Sequence, residues 1–129
     1  MGQEQDRALG MLGLARRAGK LQTGEETVRT MLAEKHARLT VLASDAGEAA
    51  ARKVRGLAAG TRQSVLALPY DKLTLGAALG RPVVSVAAFA DVSMALAFVK
   101  ALPEGTVGTE LLEDLERRVA RVKAKRKKN

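Results

Sequence analysis

The stretch LGAALGRPVVSVAAFADVSMALAFVKAL, Leu75 to Leu102, decides the fold class. Asp71 to Leu79 reads as a helix closed by Gly80. PVVSVAAF, Pro82 to Phe89, is a short apolar run of strand type, and Asp91 is placed to cap the helix VSMALAFVKAL, which Pro103 ends. A strand with no polar alternation, set between two helices, needs cover on both faces.

The same alternation extends upstream. SVLALP, Ser64 to Pro69, reads as a strand ended by proline, and AGEAAARKVRGLAAG, Ala46 to Gly60, as an alanine-rich helix with a glycine stop. RLTVLAS, Arg38 to Ser44, is another buried strand. Val28, Met31 and Leu32 recur at helical spacing up to about Lys35, Lys20 to Gln22 is extended, and Leu9, Leu12, Leu14 and Ala15 mark a helix from about Glu4 to Arg17 that stops at Gly19. Helices alternating with short apolar strands imply an α/β chain: a three-layer α/β/α sandwich on a mostly parallel sheet.

The 129 residues, 47% of them hydrophobic, suit one compact domain, which at this size buries about two-thirds of the surface of its unfolded chain. The expected division is a domain over residues 1–103 and a linker with a basic C-terminal helix over 104–129. PEGTVGT, Pro103 to Thr109, has linker composition, and Thr109 is placed to cap a last helix carrying Leu112, Leu115, Val119 and Val122 at spacings of three and four. Three destinations are open to that stripe: docking on the domain, pairing with another copy, or ordering on a protein or RNA partner.

The absence of cysteine removes disulfides, thiolate nucleophiles and thiolate zinc sites. Residues 1–20 lack the unbroken apolar core of a secretory signal, and no run approaches the roughly 18 apolar residues of a spanning helix. The expectation is a cytoplasmic chain with no membrane contact.

The net charge of +8 is unevenly placed. RRVARVKAKRKKN, Arg117 to Asn129, holds eight cations (Arg117, Arg118, Arg121, Lys123, Lys125, Arg126, Lys127 and Lys128) and no acid, so residues 1–116 carry 22 − 8 = 14 basic against 14 acidic residues. A neutral body with a cationic end favours polyanions, with salt-sensitive affinity for each phosphate neutralised.

The chain offers little catalytic chemistry. His36 stands alone without oriented partners, and Ser44 and Asp45, although at a strand end, are ordinary capping residues for the helix that follows. No glycine-rich nucleotide fingerprint occurs. Tyr70, Phe89 and Phe98 are the only aromatics, too few for a base-stacking platform. The expectation is no enzyme, no cofactor and no metal.

TGEE, Thr23 to Glu26, has the spacing of a capping box, in which Thr23 and Glu26 each cover one orphan N–H. The two acids, Glu25 and Glu26, complement the positive end of the helix. Gly24 asks for more than capping, because a residue without a side chain at a helix start permits close approach of another backbone.

Four pieces in order, LGLARRAGK (Leu12 to Lys20), the helix begun at Gly24, VLASDA (Val41 to Ala46) and LGAALGRPVVSVAAF (Leu75 to Phe89), give the chain a family resemblance from about Ala8 to Leu102. It resembles the ribosomal-protein-type kink-turn RNA-binding family, and within it the small bacterial members of the YlxQ type. The resemblance implies a three-layer α/β/α fold on a small mixed sheet, no catalysis, and structured RNA, ribosomal or another stable RNA, as partner.

It also implies a surface in two parts. The amino end of the second helix reads tandem sheared G·A pairs, which assigns Gly24, Glu25, Glu26, Thr27, Arg29 and Thr30. The loop after the last strand, from about Ala87 to Asp91 and including Ala88 and Phe89, covers protruding bases. Lys20, Arg29 and Arg81 are expected to flank one RNA groove, extended by Arg16, Arg17 and the tail. Glu26, Thr27 and Thr30 stand where family members carry Asn or Lys, Glu or Gln, and Lys, and a carboxylate cannot donate to a guanine edge. The Gly-Glu start suggests a subgroup with a different or more permissive target. The competing reading is a protein-interaction adaptor on the same fold, with a protein partner bound through the C-terminal helix.

Overall fold

The computed structural model describes residues 3–128, with side chains from 7 to 127. The described residues form six helices and four strands in the order α1 (Gln3–Arg17), β1 (Leu21–Thr23), α2 (Glu25–Ala33), β2 (Leu39–Leu42), α3 (Glu48–Ala58), β3 (Ser64–Ala67), α4 (Lys72–Leu79), β4 (Val86–Phe89), α5 (Val92–Ala101) and α6 (Thr109–Lys128). The element types follow the sequence expectation throughout.

The strands lie in the order β1-β4-β2-β3. Period-two alternation distributes the two central strands between two cores. Leu39, Val41, Ala87 and Phe89 point into a core shared with α1, α4, α5 and α6, while Leu42, Val86 and Ala88 point into a smaller one closed by Val28 and Leu32 of α2 and Val54 and Ala58 of α3. Both β2 and β4 are buried along their whole length, which is why they read as apolar runs without alternation. Phe89 packs against Phe98 of α5 with ring centroids 5.4 Å apart. The layers are α/β/α on a small mixed sheet.

The sheet is not mostly parallel. Only β2 and β3 pair in parallel, whereas β4 runs antiparallel to both β1 and β2. The cause is the connection into β4. After α4 the chain folds back instead of crossing the sheet, Arg81 N donating to Gly76 O at 2.9 Å and Val84 N to Lys72 O at 3.0 Å. The strand therefore starts at the end of the sheet where α4 itself began.

This register defines two ends. At one lie Gly24, the exits of β2 and β3, the start of α4 and the entry of β4; at the other lie Lys20, Arg38, the entry of β3 and the exit of β4. The second end is tied by Ala90 N to Lys20 O at 2.8 Å and Arg38 N to Phe89 O at 2.7 Å.

The last helix docks on the domain. Leu115 and Val119 of α6 are buried in the larger core, and Leu111, Leu112 and Val122 pack against it. Lys100 of α5 faces Glu116 at 3.8 Å. The stripe read from the sequence is thus covered by the chain's own core and offers no free face to a partner helix.

Candidate functional site

Gly24 joins β1 to α2 with φ 102° and ψ 141°, a conformation that side-chain-bearing residues rarely adopt. A Cβ built there meets nothing within 4 Å, so backbone geometry and not crowding requires the glycine, and the space above it is open. Its N–H donates to Val86 O at 3.1 Å, and its carbonyl accepts from Val28 N at 3.0 Å. The helix start is thereby held against the first residue of β4.

The capping box does not form. Gly24 occupies the cap position and no described side chain caps α2, because Thr23 belongs to β1, where it pairs with Ala87. By contrast, Asp71 accepts from Thr74 N at 2.8 Å on α4, and Asp91 accepts from Met94 N at 2.9 Å on α5. Asp71, fully exposed, has its carboxyl held below its ordinary value of 3.8, chiefly by the Thr74 backbone N–H. Asp45 does not cap its own following helix; its Oδ1 accepts from Lys72 N at 2.8 Å. A helix whose first turn lacks a side-chain cap keeps its N–H groups for an outside acceptor.

Glu25, Glu26 and Thr27 are exposed beside that turn. Thr30 is exposed too, but its hydroxyl donates back to Glu26 O at 3.2 Å. Arg29 is half-buried one turn further on, with its Nε buried and unpartnered.

Facing the turn is a surface concavity of about 240 Å³, lined by Thr23, Gly24, Glu25, Arg81 and Val83 to Val86. Its far wall is the loop between α4 and β4. Besides the bonds from Arg81 N and Val84 N, Ala43 N donates to Ser85 O at 2.9 Å, and Arg81 and Pro82 lie so close to Gly76 that a Cβ there would stand 2.6 Å from the Arg81 carbonyl oxygen. Arg81 is exposed at the rim, and Val83 is an apolar side chain 47% exposed to solvent.

The sequence expectation is corrected here in two respects. Ala87, Ala88 and Phe89 are 0% exposed in the central strand β4, so they cannot cover a base. The exposed apolar residue beside Gly24 is instead Val83, hidden in the sequence because Pro82 to Phe89 read as one strand, whereas β4 begins only at Val86. The signal available was Pro82, which cannot donate to a ladder and marks a strand boundary. Lys20 is also displaced: it precedes β1 and Gly24 follows it, which at roughly 3.3 Å per residue puts them about 13 Å apart at opposite ends of the sheet. Lys20 and Arg81 therefore border opposite ends of the sheet.

The tail cations belong to α6. Arg117 and Arg118 both reach Asp114, at 3.4 and 3.0 Å, and Arg118 also donates to the Arg62 carbonyl. Arg121, Lys123, Lys125, Arg126 and Lys127 are exposed, and the side chain of Lys128 lies outside the described residues. His36 is exposed, 3.6 Å from Glu34. All three aromatics, Tyr70, Phe89 and Phe98, are buried. Among the described residues no helix is long and apolar enough to cross a membrane.

Comparison with known proteins bears on this geometry. The model of the ribosomal protein L7Ae/L30e/S12e/Gadd45 family matches residues 6–97. Among solved structures, a protein with unknown function from Bacillus halodurans is similar at 29% identity and TM-score 0.67, over 73% of this chain and 94% of that one. The Giardia lamblia 15.5kD RNA binding protein shares the fold at 13% identity and TM-score 0.54, over 78% of this chain and 86% of that one. No curated protein matches the sequence.

Proposed function

The chain belongs to the ribosomal protein L7Ae/L30e/S12e/Gadd45 family, and on that premise we propose that it is a non-catalytic cytoplasmic protein that binds structured RNA, kink-turn-like or ribosomal, at the Gly24 corner. The carrying observation is the start of α2 itself: a helix with no side-chain cap, entered through a positive-φ glycine with open space above it. The fold neighbour from Giardia lamblia, an RNA binding protein, supports the same class of partner.

The arrangement favours recognition by backbone and shape. With Tyr70, Phe89 and Phe98 buried, unpaired bases have no phenyl or phenol ring to stack on. The first-turn N–H groups can donate to base edges or phosphate, Val83 can cover a base face, and Arg81 can meet a phosphate at the rim. Glu25 and Glu26 accept only, so they select donors and repel phosphate that lies badly placed. In this reading residues 1–103 are the RNA-binding unit, and 104–129 are the extension that supplies sequence-independent charge.

The exposed acid pair also suits an adaptor that binds protein at the same corner. A titration at about 0.15 M salt, where non-specific phosphate contacts are already weakened, separates the two readings. A kink-turn RNA is compared with the same RNA carrying disrupted G·A pairs, for the natural chain and for Gly24→Ala. The expected result is a preference for the intact motif that Gly24→Ala abolishes. Equal binding of both RNAs would reduce the proposal to structured RNA in general, and binding of neither would leave the adaptor.

A further inference from the structure

From the end of the sheet opposite Gly24, we infer a second RNA contact: a cationic groove between the body and α6 that takes the sugar-phosphate backbone of a helical RNA segment. The groove consists of two adjoining concavities. One, of about 460 Å³, is lined by Lys35, Arg38, Gly60, Thr61, Arg62, Gln63 and Arg118; the other, of about 260 Å³, by Arg38, Arg62, Val92, Arg118, Arg121 and Val122. Among the described residues five cations line the pair and no carboxylate does.

These cations come from three separate segments, and the fold fixes them relative to one another. Gln63, a buried polar side chain, accepts from Ala37 N at 3.1 Å through Oε1 and donates to Leu32 O at 3.0 Å through Nε2. It thereby locks the turn bearing Lys35 and Arg38 to the turn bearing Arg62. Arg118 then ties α6 to the Arg62 carbonyl while paired with Asp114. With Arg118 held in this way, Lys35, Arg38, Arg62 and Arg121 are exposed, and among the described residues none of the four has a carboxylate within ion-pair distance.

Beyond the groove α6 continues the charge. Lys123, Lys125, Arg126 and Lys127 are exposed on a helix whose last core contact is Val122. A track of cations whose apolar lining is only the buried Val92 and the half-buried Val122 matches a phosphate backbone better than a membrane, which would require an apolar face to insert. The groove and the Gly24 corner lie at opposite ends of the sheet, so two RNA segments can be held from opposite sides and bridged by the protein.

The inference rests on the reading of the chain as an RNA binder, but its test is independent of the Gly24 corner. The full-length chain, saturated with kink-turn RNA, is titrated with a labelled plain RNA duplex over a range of salt, alongside the triple variant R38Q/R62Q/R121Q. All three side chains are exposed, so folding is expected to survive, and a thermal melt checks it.

The expected result is that duplex binds without displacing the first RNA. The triple variant should flatten the slope of log affinity against log salt by about 2 to 3, at roughly 0.7–0.9 per phosphate contact, and leave kink-turn preference unchanged. Displacement of the kink-turn RNA by duplex, or an unchanged slope in the variant, would overturn the proposal. If kink-turn RNA fails to bind at all, the same duplex titration on the chain alone still decides by the slope. Preference for polyglutamate over duplex would assign the groove to an acidic protein segment and refute the RNA reading.

Discussion

At the Gly24 end of the sheet the chain exposes backbone: the uncapped first turn of α2, a glycine at φ 102°, and a loop held by its own peptide groups. At the Arg38 end it exposes long charged side chains, anchored from below by Gln63 and flanked by α6. The difference has a physical consequence. Fixed peptide dipoles lose their partners when a ligand shifts by an ångström or so, and they therefore discriminate between shapes. Cations on flexible stems follow phosphates wherever they lie, adding affinity that salt removes. Glu25 and Glu26 stand at the backbone end, whereas the described residues lining the cationic groove include no carboxylate, Asp114 pairing with Arg118 from beside it.

The comparison breaks most severely if α6 is loosened. Leu115 is 0% exposed in the larger core, and Leu115→Ala should cost about 2–5 kcal/mol, read by denaturant unfolding. Duplex binding at the cationic end should weaken with it while kink-turn preference persists. The same packing makes truncation before Arg117 a poor dissection of charge, since it removes Val119 from the core. Ending the chain after Val122 is the cleaner cut.

A smaller effect is expected at the other end. In Gly76→Ala the new methyl would stand 2.6 Å from the Arg81 carbonyl oxygen and 2.8 Å from that of Pro82, so the loop must move. The expected cost is about 1–3 kcal/mol by thermal or chemical unfolding, with loss of discrimination between the two RNAs and no change in the duplex salt slope. Retained discrimination would show that the α4–β4 loop takes no part in reading RNA.

The mildest probe is acid. Asp71 has its carboxyl held below 3.8 in the folded chain, first by the Thr74 backbone N–H, so near that pH the unfolded chain binds more protons than the folded one. Its contribution is present above the unfolded value and is lost as pH falls through the lowered folded one. Asp71→Asn keeps a capping side chain but cannot titrate. Between about pH 6 and pH 3 its melting temperature should fall slightly less than that of the natural chain.

Much of the fold was legible because it is local. Runs such as LTVL and VAAF, the helical spacing of Val28 and Leu32, the cap at Asp91 and the glycine stop at Gly80 each act within a few residues. Legibility failed where a neighbour in space chose between local options. Thr23 and Glu26 have capping-box spacing, yet pairing of Thr23 with Ala87 shifts the cap to Gly24. Val83 has strand character, yet the fold-back of the loop onto Gly76 and Lys72 leaves it exposed. The candidate site was therefore half visible: Gly24 and Arg81 from the sequence, Val83 and Ser85 only from the structure.

By itself the sequence determined the kinds of elements, their order, and the location of the net charge in the last thirteen residues, because periodicity, capping and charge are properties of neighbours along the chain. The tertiary structure alone decided that β4 enters antiparallel between β1 and β2, that α6 lies on the core, and that Lys35, Arg38, Arg62, Arg118 and Arg121 share one groove. Strand direction and docking are set by the burial of faces far apart in sequence, an energy that no local window contains.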